Sequence, residues 1–438
     1  MNPIPNIQEF QLRRERLMAT IGHDAVAIVP ANREVPRNHD VDYQFRQDSD
    51  FYYLTGFEEP DALLVLAPGH GDGDTALFVR PRDKQSEQWH GRRLGKERVS
   101  ENLGISKGFN IEELDSTIVR YLAGRNVIHF AFGQRPEYDT RIFGWLNAMQ
   151  SSRLASPAHF TLIRETLHEL RLYKSEVELE EMQLAADISA RAHIRAMQFT
   201  RPGISEHRVE TEMLAEFYSH GARHTAYPSI VASGENACIM HYVDNNSVLQ
   251  DSDLLLIDAG CEINHYAADI TRTFPVNGKY SGPQRALYEV VLEAQLAAIN
   301  AVEPGAEFLK PQEVSQTLLA QGLIDLGILS GSVDEVRENG KLQQLLVHRC
   351  SHFLGLDVHD VGAMVQDGKV RTLESGMVLT IEPGVYVSPE LCENGIDAKW
   401  SGIGIRIEDD VVVTEEGRRA LTGLVPKNTV EIEELMRG

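Results

Sequence analysis

The sequence predicts two domains, an α/β domain at the N-terminus and a larger α+β domain after it. Over about the first 150 residues, short apolar runs typical of strands alternate with helical segments, which favours a self-contained α/β domain. Beyond this region the order changes to helices followed by strands that carry carboxylates, and this order occurs twice. The recurrence hints at two related halves. We therefore predict domains over residues 1–172 and 173–438.

In the first domain, apolar runs and turn residues predict the elements in order. A helical pattern covers residues 7–22, and the run AVAIVP is ended by proline, as a short buried strand would be. Three further runs, FYYLTG, ALLVLA and TALFV, are separated by turn residues and predict strands. A helix at 111–122 precedes the last strand. The predicted strands are 25–30, 51–56, 62–67, 75–79 and 126–132.

The second domain opens on a capping box, because Ser175 is followed by Glu178 at the start of a long helical pattern. A second helix is predicted from Ser205 to residue 220, where Gly221 can end it. The run DLLLIDAG predicts a strand, and YAADITRTFPV predicts its hairpin partner. The remaining predictions are helices at 283–301, 311–326 and 333–348, and strands at 228–232, 376–383 and 404–414.

Composition limits the possible partners. The chain has 438 residues with 42% hydrophobic content, which is enough for real cores, and its 65 acidic and 42 basic residues give a formal net charge of -23. Binding to nucleic acid or to anionic membranes requires basic patches, so this balance disfavours both. A solvated acidic surface explains most of the charge.

Cysteine usage and the absence of apolar segments predict the compartment. The four cysteines are scattered without CxxC spacing, which favours free thiols in a reducing environment and argues against a thiolate zinc site. The N-terminal residues have no apolar signal-peptide core, and no run of about 18 apolar residues occurs in the chain. We expect a soluble, cytoplasmic protein.

The segment 348–360, HRCSHFLGLDVHD, concentrates chemistry in one place. It holds three histidines and two aspartates, while Leu354, Leu356 and Val358 alternate as a strand with one buried face would. Burying an ionisable group costs several kcal/mol unless the group is paired, hydrogen-bonded or bound to a metal. The segment therefore predicts either a satisfied polar network or a functional site.

Carboxylates on apolar strands strengthen the second interpretation. Asp258 ends an apolar strand, although a lone aspartate there is also typical of a turn. Asp269 falls within the predicted hairpin partner, among apolar neighbours. Glu382 ends the strand MVLTIE, and the alternation in GIRIEDD places Arg406 and Glu408 on one face. Charged groups on buried strands need compensating charge.

Four carboxylates and one histidine suit hard divalent cations, with Mn²⁺ the natural choice and Zn²⁺, Co²⁺ or Fe²⁺ as alternatives. Two such ions about 3.5–4 Å apart can share a bridging hydroxide and polarise a carbonyl oxygen, which is the chemistry of amide hydrolysis. The other histidines, His241, His348 and His359, would then serve as donors or proton carriers around a substrate.

Several segments together resemble the metallopeptidases of the pita-bread fold, and among these the aminopeptidase P (Xaa-Pro aminopeptidase) family. They are HRCSHFLGLDVHD, DAGCEINHYAADITRTFPV, TIEPGVY and GIRIEDD, with RQDSDFYYLTGFEEPDALLVL, EQWHGRRLG and SGENACIMHY in support. The likeness covers nearly the whole chain and implies a pita-bread catalytic domain behind the α/β domain. It implies the metal ligands Asp258, Asp269, His352, Glu382 and Glu408.

The same resemblance implies an activity: removal of the N-terminal residue from peptides whose second residue is proline, with two Mn²⁺ ions and a bridging hydroxide. Glu382 would manage the proton of the nucleophile. The implied roles of the other residues are the scissile carbonyl and proline for His241 and His359, and support of the site for His348 and Arg406.

A homotetramer is also implied, in which Asp40 and Trp89 would reach a substrate pocket from a neighbouring subunit, although a tryptophan in a loop more often serves packing. One departure from the family pattern concerns Arg349 and Cys350, which stand where small and aliphatic residues are expected. These two could alter metal affinity or pocket shape without removing a ligand.

Other functions remain open at this point. A prolidase would cut Xaa-Pro dipeptides with the same ligands on the same fold, and EQWHGRRLG with the segment around His241 favours the aminopeptidase. Methionine aminopeptidases typically lack so large an N-terminal domain. A non-catalytic pita-bread binding protein, or a metal-free hydrolase of the creatinase type, would be expected to have lost ligands that are intact here.

Overall fold

In the computed structural model, which describes residues 7–437, the chain divides into two units, one ending at Arg171 and one beginning at Leu172. The strands of the first unit are β1 (Ala25–Pro30), β2 (Leu63–Leu66), β3 (Thr75–Val79), β4 (Lys107–Asn110), β5 (Val127–Phe130) and β6 (His159–Leu162). Its helices are α1 (Ile7–Ile21), α2 (Ser49–Thr55), α3 (Lys84–His90), α4 (Val99–Leu103), α5 (Leu114–Leu122), α6 (Pro136–Ser151) and α7 (Arg164–Leu172).

The six strands form one mixed sheet in the order β4-β3-β2-β1-β5-β6. The pairs β1/β2 and β2/β3 are antiparallel, and the pairs β3/β4, β1/β5 and β5/β6 are parallel. Ile28, Leu63 and Phe78 on the sheet belong to one buried cluster with Ile118 of α5 and Trp145 of α6. The sheet therefore holds an α/β core, and the predictions of strands at 25–30, 62–67, 75–79 and 126–132 are confirmed.

The prediction of a strand at 51–56 is wrong, because FYYLTG forms helix α2. The side chain of Asp48 accepts a hydrogen bond from Phe51 N and caps the helix, and Gly56 ends it in the left-handed conformation. A short apolar run is compatible with a buried strand or a buried helix. The cap and the glycine decide between the two.

The second unit begins with helices α8 (Glu176–Phe199) and α9 (Glu206–Ser219). The predicted capping box of Ser175 and Glu178 is confirmed, and Ser205 caps α9. The further helices are α10 (Gly282–Asn300), α11 (Lys310–Asp325), α12 (Val333–Glu338), α13 (Lys341–Leu346), α14 (Pro389–Glu393) and α15 (Thr429–Arg437). The single helix predicted at 333–348 is thus two, because Gly340 lies between them in the left-handed conformation.

Short strands complete this unit in several small sheets. They are β7 (His224–Thr225), β8 (Ile230–Ser233), β9 (Leu254–Asp258), β10 (Cys261–Ile263), β11 (Tyr266–Ala267), β12 (Thr271–Pro275), β13 (Val365–Gln366), β14 (Lys369–Val370), β15 (Val378–Ile381), β16 (Gly384–Val387), β17 (Ile403–Arg406), β18 (Asp409–Thr414) and β19 (Gly417–Ala420). The sheets are β12-β9-β8, β11-β10-β7, β15-β18-β19, β16-β17 and β13-β14.

Two predicted strands are broken where they carry carboxylates. In 266–276, β11 pairs with β10 and β12 pairs with β9, so Asp269 lies between two strands rather than within one. In 404–414, Glu408 lies between β17 and β18, which belong to different sheets. The backbone of Glu408 donates to Thr271 O at 3.1 Å, which joins the two breaks. Strand ends, not strand interiors, present these acids.

The segment 348–360 is not a strand, and this prediction is wrong. Phe353 makes one isolated bridge with Leu379, and Phe353, Leu354, Gly355 and Leu356 are all buried, so no alternation exists. The backbone of Asp360 returns to Phe353 O at 2.9 Å and closes a loop. A loop enclosed on several sides can bury consecutive residues. The alternation of apolar residues in the sequence predicted burial of only every second one.

Among the helices of residues 7–437, none is both long and apolar enough to cross a membrane.

Candidate metal centre

Three side chains in the second unit can place ligand atoms within 4.8 Å of one another: Asp269, His352 and Glu408. Asp269 precedes β12, Glu408 precedes β18, and His352 directly precedes the loop closed by Phe353 and Asp360. The acids are nearly fully buried, at 5% and 2% exposure. Segments far apart in the chain therefore converge on one small volume.

The two remaining predicted ligands join this cluster. His352 Nε2 lies 3.5 Å from Glu382 Oε1 and 3.6 Å from Asp269 Oδ2. The hydroxyl of Tyr227 lies 2.6 Å from Asp258 Oδ1 and 2.5 Å from Asp269 Oδ1. The structure thus brings together all five side chains predicted as ligands. Their role as ligands stays a prediction.

Negative charge is concentrated in the cluster. Burial, with the charge of Asp258, raises the pKa of Asp269 to about 8. Burial and the charge of Asp269 also raise the pKa values of Glu382 and Glu408 well above their ordinary range. Because one hydroxyl carries one proton, Tyr227 cannot donate to both Asp258 and Asp269 at once. The carboxylates therefore need protons or added cations.

His352 is held in the form that a metal ligand requires. Its Nδ1 lies 3.0 Å from Phe353 O, and since a carbonyl only accepts, Nδ1 carries the proton. Nε2 is then left as a lone pair that faces the carboxylates. Burial lowers the pKa of His352 to about 4, which keeps the imidazole neutral.

Arg406 links the cluster to the predicted supporting residues. Its guanidinium donates to Asp258 Oδ2 at 2.6 Å, to Thr271 Oγ1 at 3.1 Å and to the hydroxyl of Tyr386 at 2.8 Å. Tyr386 in turn lies 2.6 Å from His348 Nε2. Since His348 Nδ1 must donate to the carbonyl of Arg349 at 2.7 Å, Nε2 accepts from the tyrosine. Arg406 and His348 are therefore fixed in place by one hydrogen-bonded chain.

His348 also lies beside an acid of the cluster, with its Nδ1 3.4 Å from Glu382 Oε2. Burial, followed by the charge of Arg406, lowers the pKa of His348 to about 4. The imidazole is thus neutral. His241 also disfavours a positive charge on the His348 ring and contributes to lowering the same pKa.

His241 and His359 are exposed, in contrast to the buried ligands. The ring of His359 meets the ring of His352 edge-on, with centroids 4.4 Å apart. His359 is thus next to the cluster, and both histidines are accessible from solvent. This arrangement suits groups that meet a substrate.

Four further residues singled out in the sequence are not proposed as ligands. Asp40 and Trp89 belong to the first unit, where both are exposed, and their substrate role stays a prediction. Arg349 points toward Met364, with its guanidinium 3.2 Å from the sulfur. Cys350 is buried in an apolar cluster with Phe308 and Phe353. Both departures from the family pattern thus have packing partners of their own.

Sequence reasoning missed the hydrogen-bonding residues of the site. Thr271 Oγ1 donates to Glu408 Oε2 at 2.6 Å, and Asp410 Oδ2 accepts from Asp269 N at 3.0 Å. The position of Asp410 two residues after Glu408 in GIRIEDD was an available signal. Tyr227, Thr271 and Tyr386 had none, because neutral side chains on or beside strands fit ordinary packing equally well.

Comparison with known proteins supports the same interpretation over the full chain. The profile of metallopeptidase family M24 matches residues 180–415, and that of the aminopeptidase P N-terminal domain matches residues 10–129. Xaa-Pro aminopeptidase of Haemophilus influenzae is 44% identical, with 98% of this chain and 97% of the relative covered. Xaa-Pro aminopeptidase of Escherichia coli is 43% identical with the same coverage.

Solved structures agree in fold. Aminopeptidase PepP of Pseudomonas aeruginosa superimposes with a TM-score of 0.97 at 45% identity, covering 100% of this chain and 99% of that one. Aminopeptidase P of E. coli with the inhibitor Pro-Leu gives a TM-score of 0.95 at 43% identity, covering 99% and 98%. The α/β N-terminal domain and the α+β pita-bread domain predicted from the sequence are confirmed.

Proposed function

Because the chain belongs to metallopeptidase family M24, we propose that it is a dinuclear metal aminopeptidase that releases the N-terminal residue from peptides with proline in the second position. In this proposal the catalytic domain comprises residues 173–438 and follows the N-terminal domain of residues 1–172 along the chain. The observation that carries the proposal is the buried cluster in which carboxylates from three segments surround His352 with too little positive charge.

The donor set fits divalent metal ions. Carboxylate oxygens and one neutral imidazole are hard to borderline ligands, and the raised carboxylate pKa values indicate that added positive charge would be favourable here. The proposed ligands are Asp258, Asp269, His352, Glu382 and Glu408. We propose Mn²⁺ as the resident ion, since four of the five ligands are carboxylates. When bound, two divalent cations supply an activated water and polarise the scissile carbonyl.

The chain's own residues hold and move protons around this chemistry. Glu382, which lies 3.5 Å from His352 Nε2, accepts a proton at its carboxylate as the nucleophile forms. Arg406 orients the carboxylate of Asp258 through the 2.6 Å contact. Tyr386 and His348 hold the guanidinium in turn. Pre-arranged donors of this kind cost no reorganisation during reaction.

The exposed histidines face the substrate in this proposal. His241 donates to the carbonyl oxygen of the scissile peptide bond as charge develops on it, and His359 lies beside the proline. Their exposure leaves their rings accessible to a peptide, and the edge-on contact of His359 with the proposed ligand His352 supports this role.

Proline specificity is tested by substrate comparison. The relatives are named Xaa-Pro aminopeptidases, and we extend that specificity to this chain. The Mn²⁺-loaded protein should cleave an Xaa-Pro-Xaa tripeptide much faster than Xaa-Ala-Xaa. Equal rates on the two tripeptides would contradict the specificity. Preference for an Xaa-Pro dipeptide over the tripeptide would favour a prolidase, and no cleavage by the metal-loaded protein would favour a non-catalytic binding protein.

The identity of the metal needs its own measurement. Metal analysis of protein purified without added ions, followed by reloading with Mn²⁺, Zn²⁺ or Co²⁺, should give the highest kcat/KM with Mn²⁺. One E. coli relative has been solved in a zinc-substituted form with product. Full activity with Zn²⁺ alone would contradict the choice of Mn²⁺ while leaving the ligand set intact.

We further propose a homotetramer in the cytoplasm, in which Asp40 and Trp89 reach the substrate pocket of a neighbouring subunit. Trp89 is 79% exposed, which leaves its ring available to another chain. Free cysteines suit a reducing compartment. Light scattering should give a mass of four chains, fractionation should place the protein in the cytosol, and Trp89→Ala should raise KM if the residue contributes to the pocket.

A further inference from the structure

Glu206, the first residue of α9, has a carboxylate that is completely buried and satisfied by neutral donors. Its Oε1 accepts from Ser233 N at 2.8 Å, Ser233 Oγ at 2.7 Å and Asn236 Nδ2 at 3.1 Å. Its Oε2 accepts from the hydroxyl of Tyr242 at 2.8 Å and from Ser247 N at 2.9 Å. Burial of an ionised carboxylate is costly unless such donors surround it.

These donors all belong to one segment of the chain, residues 233–247, which we call the anchored loop. It begins at the end of β8, passes through a short 3-10 helix (Gly234–Cys238) and returns to α9 at Ser247. The backbone of Glu206 also donates to Ser247 O at 2.9 Å. One carboxylate therefore ties the start, the middle and the end of the loop to the same point.

His241 lies inside the anchored loop, directly before the donor Tyr242. Tyr242 is 8% exposed with its hydroxyl on the carboxylate, whereas the neighbouring His241 is exposed. The chain turns at His241, so that the side chain of Tyr242 is buried against Glu206 while the preceding histidine stays on the solvent side. Fixing Tyr242 inward therefore fixes the direction in which the histidine leaves the loop.

We propose that Glu206 is a positioning residue for His241, acting through Tyr242 and the two ends of the anchored loop. The inference rests on the proposed function, in which His241 donates to the scissile carbonyl oxygen. A pre-arranged donor works only if its atom is held where the charge develops, and a displacement of about 1 Å can cost up to about 10²-fold in rate. Glu206 restricts the position of His241 through its hydrogen bonds to the anchored loop.

Glutamine cannot replace Glu206 in this role. The carboxylate presents two acceptor oxygens, and each receives at least two donors. A glutamine has one acceptor oxygen and one NH₂ group. Its NH₂ group would therefore point at hydrogen-bond donors of the loop and could not accept from them. Glu206→Gln should therefore release either Ser233 and Asn236 or Tyr242 and Ser247. Tyr242→Phe removes a single donor and provides a milder version of the same change.

The test is a double-mutant cycle on the metal-loaded protein with an Xaa-Pro-Xaa peptide. Glu206→Gln and Tyr242→Phe should each lower kcat with little change in KM, by no more than the loss in His241→Ala. In the His241→Ala background neither should lower kcat further, and metal content should stay unchanged in every variant. An equal fold-loss in both backgrounds, or an unchanged kcat in the wild-type background, would overturn the proposal.

Glu178 supplies a matched control, since it is also buried in the first turn of a helix and accepts from a tyrosine, Tyr266, at 2.8 Å. Glu178→Gln should lower the melting temperature without the kcat loss seen in Glu206→Gln. Equal kcat losses in the two variants would reduce Glu206 to a general stabilising residue and overturn the proposal.

Hydrogen exchange of residues 233–247 keeps this inference separable from the proposed function. Amide exchange in the anchored loop should accelerate in Glu206→Gln and not in Glu178→Gln, whatever the enzyme cleaves. If His241→Ala retained the wild-type kcat, the role proposed for that histidine would fail even though the exchange result stood. If exchange in the loop were unchanged in Glu206→Gln, the positioning inference itself would fail.

Discussion

Glu408 and Asp409 are neighbours in the chain, and both are buried, at 2% and 0% exposure, yet their electrostatic situations are opposite. The pKa of Glu408 is raised well above its ordinary range by burial and by the charges of Asp269 and Glu382. Burial would raise the pKa of Asp409 too, but Arg272 and Lys427 outweigh it and hold that pKa far below the ordinary range.

The difference lies in what each carboxylate contacts. Asp409 accepts from Arg272 at 2.8 Å, from Gln295 at 2.8 Å and from Thr422 at 2.9 Å, and Lys427 also donates to it. Glu408 accepts from the neutral hydroxyl of Thr271. The protein thus provides cations for Asp409 and leaves the cluster around Glu408 short of them. Several buried acids crowded together, with too few cations and too few neutral donors among them, favour a bound metal.

The largest expected effect comes from removing the metal. A chelator should abolish peptidase activity, and added Mn²⁺ should restore it, because bound ions supply both the activated water and the charge that the cluster lacks. His352→Ala should likewise lose metal. Metal analysis together with the activity assay checks the chelator result and the His352→Ala result. Full activity in rigorously metal-free protein would contradict the two-metal proposal.

Substituting the two neighbours should give opposite results in metal-free protein. Asp409→Asn leaves Arg272 and Lys427 without their buried partner and should destabilise the fold by about 3–5 kcal/mol. Glu408→Gln removes one of several crowded acids and should leave the stability unchanged or raised. Denaturant unfolding of both variants without metal measures the contrast, and a comparable loss in the two would mean that the cluster is internally neutralised after all.

His241→Ala tests the difference between a ligand and a donor. The variant should retain both metals and bind substrate nearly normally, while kcat falls by about 10² to 10³, or roughly 2.7–4 kcal/mol, since the donor matters most as charge develops on the carbonyl oxygen. His352→Ala, the matched ligand variant, should instead be metal-depleted. A metal-depleted His241→Ala protein would show that this histidine belongs among the ligands.

The contrast between Glu408 and Asp409 also marks the limit of the sequence. Acids on or at the ends of apolar strands were recognisable as out of place, and with the family resemblance Asp258, Asp269, Glu382 and Glu408 could be selected from the sequence. Within EDD, however, residue type does not tell a neutralised acid from a site acid, because the cations that decide it, Arg272 and Lys427, come from distant segments.

Secondary structure shows the same limit. Continuous apolar runs such as TALFV predicted their strands, because each lies within a sheet that buries both faces. FYYLTG and HRCSHFLGLDVHD were assigned wrongly, since a cap at Asp48 and a chain closure between Phe353 and Asp360 decide their conformations. Local pattern fails where one specific hydrogen bond, rather than the buried face, selects the conformation.

The smallest effect extends the comparison to a third acid, Asp50 in the first unit. Like Asp409 it has a cationic partner, Arg171, which donates to it at 2.6 Å, and His168 Nε2 lies 3.1 Å away. Burial opposes the charge, but the contacts of His168 and Arg171 prevail and lower the pKa below its ordinary 3.8. A lowered folded pKa means that the stabilisation is complete above about pH 4 and is lost as pH falls through the lowered value.

Asp50→Asn should therefore destabilise the protein by about 1–3 kcal/mol at neutral pH, and by progressively less below pH 4, where the wild-type carboxyl also becomes neutral. Melting temperatures of both proteins from pH 7 to pH 3 measure this convergence. Glu113→Gln is the control, because the pKa of Glu113 is also lowered, by the backbone of Asn110 and by Lys96, but its side chain is 43% exposed and solvent weakens the interaction. A difference between wild type and Asp50→Asn that stayed constant down to pH 3 would mean that Asp50 contributes through packing rather than charge, and would separate it from Asp409.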